Sequence, residues 1–258
     1  MEENYPGIQI LHLNDAFLNF ILEGDFFKFV KEGIPLAYLT RSRFFWGREF
    51  YVDERVLIPR FETEGLVELI LTELQKRDIK GELKIVDVGT GSGVILLTIL
   101  QELGLDNIEA IFSDIDEGAL DVCRENYHRQ SKNIGNNIHC SFYLSDRLKE
   151  IDGNCDVIIS NPPYIMESAD LKSVHSQVLN FEPKKALFLK DEIYFNWYED
   201  FFNEAFKCLN KNGLLFLEGH ESHLDRLEVC LGKVGFSDRL ILKDLTQRKR
   251  FLMARKLA

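Results

Sequence analysis

The spacing of apolar residues changes character part-way along the chain. Between Asn14 and Lys31, Phe17, Leu18, Ile21 and Leu22, then Phe26, Phe29 and Val30, recur at helical intervals, predicting one amphipathic helix or two short ones. Gly33-Ile34-Pro35 then breaks the pattern. Arg43 to Pro59 predicts a β-hairpin: Phe44-Phe45, a turn near Gly47-Arg48, and Phe50-Tyr51-Val52 returning. Glu62 to Lys76 resumes the helical rhythm, with Leu66, Val67, Leu69, Ile70 and Leu74 on its apolar side.

From Leu83 onward, short apolar runs alternate with amphipathic stretches. Strands are predicted at Lys84–Val88, Glu109–Ser113, Ile138–Tyr143, Asp156–Ser160, Leu214–Glu218 and Leu240–Lys243, and Phe251–Ala254 suits a last one. Runs apolar on consecutive positions fit a parallel sheet covered on both faces. Helices at Ser92–Leu103, Glu117–Arg129, Tyr194–Leu209 and Ser222–Val234 would supply the cover. The expected fold class is therefore α/β, a doubly wound Rossmann-like sheet. The expected division is a short N-terminal helical segment at 1–40, a β-hairpin linker at 41–62, and the α/β domain at 63–258.

Composition narrows the class. With 45% hydrophobic residues and only 6 Pro in 258, the chain can bury a sizeable core without disulfides or metal. Lys and Arg number 31 against 42 Asp and Glu, a net charge of -11 that repels phosphate backbones wherever no local basic patch intervenes. The run Gln247-Arg248-Lys249-Arg250 reads as a solvated turn or strand end. The balance favours a protein or small-molecule substrate over nucleic acid. Five cysteines, an odd count without a CxxC pair, suit reduced thiols in a cytoplasmic protein. Met-Glu-Glu-Asn lacks the positive start of a secretory signal, and no apolar stretch is long enough to span a membrane.

The first chemical signal is Val86-Asp87-Val88-Gly89-Thr90-Gly91-Ser92-Gly93, between an apolar strand and an apolar helix. Glycines there permit a tight turn and let a ligand approach the backbone. Asp114 ends the next strand, at a distance that suits a ribose-binding carboxylate, whose two oxygens accept both hydroxyl protons. A dinucleotide and S-adenosylmethionine share this logic; the Gly-x-Gly-x-Gly spacing leans toward the latter. The third strand ends near Ser145-Asp146-Arg147, where a polar group can meet an adenine amino group or simply face water.

The second signal is Asn161-Pro162-Pro163-Tyr164, directly after the strand Asp156–Ser160. Two prolines remove two N–H donors and fix φ, so a rigid turn is the plain reading. Beside a glycine loop and a ribose acid, the motif instead sits where ligands of open α/β sheets bind. An amide nitrogen is a poor nucleophile because its lone pair is delocalised. The Asn161 side-chain oxygen can accept one of its N–H groups, a carbonyl of the proline-rich backbone the other, and Tyr164 can stack on the planar group. Catalysis would then be mostly positioning.

These residues resemble the protein-glutamine N5-methyltransferases of the release factor type, the HemK/PrmC family, over about nine-tenths of the chain. Gly33-Ile34-Pro35-Leu36-Ala37-Tyr38, Val56 to Glu64, the glycine loop, Asp114 with Ala119-Leu120, Asn161 to Ile165 and Phe181-Glu182-Pro183 follow in family order. The resemblance implies a class I S-adenosylmethionine-dependent methyltransferase domain. In it Gly89, Thr90, Gly91, Ser92 and Gly93 cradle the cofactor, Asp114 binds the ribose and Asp146 and Arg147 flank the adenine. It also implies Thr63 against the cofactor, Asn161, Pro162, Pro163 and Tyr164 around the substrate amide, and the Gly-Gly-Gln loop of a peptide chain release factor as substrate. Only about thirty residues precede Gly33, fewer than is usual in the family. Ala37-Tyr38-Leu39-Thr40 and Phe50 to Leu57 resemble instead the sister enzymes that methylate a ribosomal-protein glutamine. An adenine-N6 methyltransferase acting on nucleic acid is the further alternative. His220 and His223, three apart with no third ligand evident, are not expected to hold a metal. Glu218 ends a strand beside the expected site, where a carboxylate can orient a loop.

Overall fold

In the central strands, successive side chains enter two different cores. The computed structural model describes residues 32–79, 81–105, 107–135 and 137–257. The helical prediction at Asn14–Lys31 lies outside them. Strand β3 (Leu83–Val88) sends Ile85 to one core and Val86 to the other; β4 (Ile108–Asp114) does so with Phe112 and Ile111, and β6 (Cys155–Ser160) with Ile159 and Ile158. All six side chains are essentially inaccessible. A strand's period of two leaves no polar face when both sides are covered, which is why these segments read as continuous apolar runs.

The seven-stranded sheet has the order β10-β11-β9-β6-β3-β4-β5, where β5 is Ile138–Leu144, β9 is Leu209–Glu218, β10 is Ser237–Lys243 and β11 is Lys249–Arg255. Strands β9, β6, β3, β4 and β5 run parallel. Strand β11 inserts antiparallel between β9 and β10. The expected last strand exists, but the sheet is mixed rather than wholly parallel. Helices α2 (Glu64–Gln75), α3 (Val94–Glu102) and α4 (Glu117–Gln130) contribute to the first core, and α7 (Tyr194–Cys208) and α8 (Leu224–Val234) to the second. Between them in the chain lie two short helices, α5 (Ser176–Phe181) and α6 (Lys184–Leu187), and a small parallel pair, β7 (Ile165–Met166) and β8 (Phe188–Leu189). Among the described residues no helix is long and apolar enough to cross a membrane.

The hairpin pairs β1 (Arg43–Phe45) with β2 (Arg48–Phe50). Its turn residues are Trp46 and Gly47, one position earlier than expected, both at positive φ (51° and 70°). That mirror-image turn matches the twist of the flanking strands. Phe45 and Phe50 meet edge-to-face and are buried in the same core as α2 and α3. Helix α2 begins at Glu64 because Phe61–Thr63 winds as a 3-10 turn, and α3 begins at Val94 because the glycine loop continues to Gly93. All five cysteines are free.

Since the hairpin's phenylalanines are core residues of the α/β domain, Phe50→Ala is expected to cost about 3–5 kcal/mol. Urea denaturation followed by circular dichroism should show one cooperative transition moved to lower denaturant. A separate early transition, with the main midpoint unchanged, would mean that the hairpin melts on its own.

Candidate active site

The strand register brings the site together. Val88 pairs with both Ser113 and Ser160, and Ser160 pairs with Leu217, so four parallel strands end on one line. The residues that follow, Gly89, Asp114, Asn161 and Glu218, share that rim. The Gly89 and Thr90 N–H groups donate to the Ser113 carbonyl at 2.8 and 2.9 Å, and the Ser160 hydroxyl donates to the Val88 carbonyl at 2.7 Å. Helix α3 leaves β3 toward one face, while the chain after β6 returns through α7 on the other. A crevice must open between β3 and β6, and a cavity of about 350 Å3 lies there.

Gly89, Thr90, Gly91 and Ser92 line this cavity. Gly89 and Gly91 have φ of 71° and 55°, and a Cβ added to either meets no protein atom within 4 Å. Their open faces leave room for a ligand against the backbone. Gly93 is not part of the lining. It caps α3 at φ 78°, and a Cβ there would meet the Cys123 sulfur at 2.6 Å, so its role is packing against α4. Buried Asn126 of α4 supports the loop, donating to the Ser92 and Tyr51 carbonyls at 2.8 and 2.9 Å.

Asp114 lines the cavity and is 9% exposed. Its carboxylate accepts the Gly91 N–H at 2.9 Å and the Asp116 N–H at 3.0 Å. Burial pushes its pKa up to about 6, opposed by the Gly91 and Ile115 backbone N–H groups. Lys185 forms an ion pair with Asp116, and both border the cavity beside Asp114. Below the loop, wholly buried Asp87 accepts the Thr90 hydroxyl at 2.7 Å, and burial pushes it up to about 7. In the sequence its only mark is that of a lone charge inside an apolar strand.

Asp146 and Arg147 also line the cavity. Asp146 pairs with Lys149, and the Arg147 guanidinium is held by Glu204 of α7 at 2.9 Å and faces the Trp197 ring. The Arg147 side chain is therefore committed to α7. Trp197, Phe188 and Leu189 complete this wall, and no local motif in the sequence marks them.

Asn161, Pro162 and Pro163 line the opposite end with Thr63, Pro59 and Arg60. The Asn161 Nδ2 donates to Thr63 Oγ1 at 3.4 Å, and its Oδ1 is buried without a partner. A buried acceptor left unpaired is costly and calls for a donor. The Tyr198 hydroxyl donates to the Pro163 carbonyl at 3.3 Å, and the Tyr194 hydroxyl donates to the Tyr164 carbonyl at 2.9 Å. The Pro162 carbonyl stays free of protein donors among the described residues. Tyr164 is not in the cavity wall; burial and then the Glu218 charge push its hydroxyl pKa upward.

The wall from Arg55 to Arg60 is pinned from two sides. The Tyr38 hydroxyl donates to the Val56 carbonyl at 2.7 Å, from α1 (Leu36–Thr40). Buried Glu182 accepts the Ile58 N–H at 3.1 Å and the Arg60 guanidinium at 2.6 Å. Away from the cavity, the fold supplies a third group beside the two histidines, Asp170, which the sequence spacing did not reveal. His223 Nε2 meets Asp170 Oδ2 at 2.8 Å, and His220 Nδ1 accepts the Ser222 N–H at 3.3 Å. The His223–Asp170 bond ties the loop after β7 to the start of α8.

Residues 66–189 match the family model described as the methyltransferase small domain. The chain is 33% identical over 225 residues to a release factor glutamine methyltransferase of Flavobacterium psychrophilum, covering 86% of this chain and 76% of that one. It is 34% identical over 222 residues to the protein of that name from Francisella tularensis, covering 84% and 73%. Among solved structures, a methyltransferase from Pyrococcus furiosus superposes with a TM-score of 0.55 at 16% identity, over 93% of this chain and all of that one.

The Glu182 contacts give a direct test of how the wall is held. Glu182→Ala removes two hydrogen bonds, one to a charged group, and should lower stability by about 1.5–3 kcal/mol. Chemical denaturation measures this; an unchanged midpoint would assign the position of the wall to packing alone.

Proposed function

The chain belongs to the release factor glutamine methyltransferase family, and we propose that it transfers a methyl group from S-adenosylmethionine to a glutamine side-chain nitrogen. The observation that carries this reading is the unpartnered Asn161 Oδ1 at the cavity, which Pro162, next in the chain, also lines. Asn161 Oδ1 can accept one N–H of a primary amide, and the Pro162 carbonyl offers an acceptor for the other. The substrate is the glutamine of a Gly-Gly-Gln loop in a peptide chain release factor. Glycines flanking the target let a backbone enter a narrow opening.

The residues present fit the cofactor. The open faces of Gly89 and Gly91 and the buried Asp114 carboxylate form a cradle for a nucleoside, with Ser92, Asp146 and Trp197 along its sides. When bound, S-adenosylmethionine supplies an electrophilic methyl group on a sulfonium centre. Asp114 accepts ribose hydroxyls with its remaining lone pairs. Asn161 and Pro162 hold the amide N–H groups and turn the nitrogen toward the methyl group. The apolar wall of Pro163, Phe188 and Leu189 excludes water. Orientation of a weak nucleophile is the main contribution the protein can make.

Incubation with a release factor should add one methyl group, which fragment mass spectrometry should assign to the loop glutamine. Asn161→Ala should lower kcat by roughly a hundredfold or more, the scale of removing a preorganised polar group, while cofactor binding persists. Transfer to adenine, with none to a release factor, would overturn the assignment. Transfer only to a ribosomal protein would move the enzyme to the sister group.

A further prediction concerns pH. Ribose hydroxyls donate more strongly to the ionised carboxylate than to the acid, so they lower the Asp114 pKa in the complex below its free value of about 6. Affinity should be constant above that value and weaken as the pH falls through it. Asp114→Asn should bind about 1–3 kcal/mol more weakly and lose this dependence. Calorimetry across this range decides; a wild-type affinity that ignores pH would remove Asp114 from the ribose site.

A further inference from the structure

Glu218 is 1% exposed, and its Oε2 has no hydrogen-bond partner. The register carries it to the cavity rim: Ser160 pairs with Leu217, so Glu218 stands one strand over from Asn161. Between the two lies Thr63, 3% exposed, at the end of the 3-10 turn. Thr63 lies near enough for its hydroxyl to favour the ionised Glu218 carboxyl, and the same oxygen accepts the Asn161 Nδ2–H at 3.4 Å. Three buried polar side chains from separate parts of the chain thus form one line ending at the cavity.

We propose that Glu218 is a positioning residue for methyl transfer, acting through Thr63 to fix which end of the Asn161 amide faces the substrate. The inference rests on the function proposed above. A threonine hydroxyl has one proton and two lone pairs. When Glu218 is ionised it can only accept, so Thr63 donates to it and presents a lone pair to Asn161. The Asn161 NH2 is then drawn to Thr63, and its oxygen is turned into the cavity, where the substrate N–H groups need an acceptor. When Glu218 is protonated it donates to Thr63, and the threonine proton is free to turn toward Asn161. The amide then gains by rotating, and its NH2 meets the substrate NH2, donor against donor.

The surroundings place this change near neutrality. Burial, opposed by the Thr63 hydrogen bond, pushes Glu218 up to about 7. Arg250 of β11 and Arg60 before the turn favour the ionised form, Glu62 opposes it, and Tyr164 and Arg250 lie within each other's field. Arg250 is itself anchored to Asp244 at 3.2 Å. With the ionised form productive, kcat should rise with pH through about 7 and then level.

The test combines kinetics on a release factor with nuclear magnetic resonance of the Asn161 side-chain amide, assigned by its loss in Asn161→Ser. In the wild type those resonances should titrate together with the rise in kcat. Glu218→Gln keeps the shape but can both donate and accept, so the bias and the titration should disappear. Its kcat should fall roughly tenfold to a hundredfold, with the cofactor dissociation constant little changed. Thr63→Val should behave alike, whereas Thr63→Ser, which keeps the hydroxyl, should retain most activity. Asn161 resonances that ignore pH across neutrality in the wild type would overturn the proposal. So would equal losses in Thr63→Ser and Thr63→Val, since serine keeps the hydroxyl and the loss would then not depend on it. A wild-type enzyme that methylates no release factor would instead defeat the functional reading, and the resonance titration would still decide the relay.

Discussion

The register among β9, β6, β3 and β4 is the constraint on which the rest depends. Parallel ladders set Val88 against Ser113 and Ser160, and Ser160 against Leu217. A slip of one residue in any pair would exchange the two faces of that strand. It would also move Asn161 or Glu218 out of line with the glycine loop. Each of these strands is apolar on both sides and fills two cores at once, so a slip would cost burial in both. The packing that stabilises the sheet therefore also sets where the site residues stand.

Polar groups that the fold leaves unsatisfied gather at this rim. Among the described residues, six buried side-chain polar atoms have no partner, and three of them belong to Asp87, Asn161 and Glu218. Asp87, Asp114 and Glu218 are carboxyls whose pKa burial raises to about 7, 6 and 7. In a chain already carrying a net charge of -11, burying acids is costly unless donors compensate. The backbone N–H groups of Gly91 and Asp116 and the hydroxyls of Thr63 and Thr90 provide part of that compensation. Of the three residues with unpartnered atoms, Asn161 lines the cavity, and Asp87 and Glu218 lie buried next to lining residues in the chain or sheet. Perturbed acids grouped in one cleft are a physical mark of a functional site.

The segments that close the cavity come from distant parts of the chain, and each is held by a specific contact. Glu182 joins the segment after α5 to Ile58 and Arg60, Tyr38 joins α1 to Val56, and Asn126 joins α4 to Tyr51 and Ser92. These contacts give the family's sequence segments a mechanical sense: Gly33 to Tyr38, Val56 to Glu64 and Phe181 to Pro183 meet around one wall. The resemblance brought these segments together as a list, and the structure supplies the hydrogen bonds that make them a unit.

The sequence alone determined the hairpin, the main helices and the seven sheet strands, the two-faced sheet, the glycine loop before α3, the carboxylate ending β4 and the Asn-Pro-Pro-Tyr segment after β6. Each rests on short-range information: a period of two or of 3.6, a glycine where φ is positive, a proline without a donor. Only the tertiary structure decided that β11 enters antiparallel between β9 and β10 and that the hairpin shares the main core. It also withdrew Gly93 and Tyr164 from the cavity wall and brought in Trp197, and it committed the Arg147 side chain to Glu204. Glu218 was legible as a strand-end acid, but its link to Asn161 through Thr63 was not. Residues 63, 161 and 218 meet only because the sheet register and the turn before α2 bring three distant backbones to one point, and no local period or motif encodes that meeting.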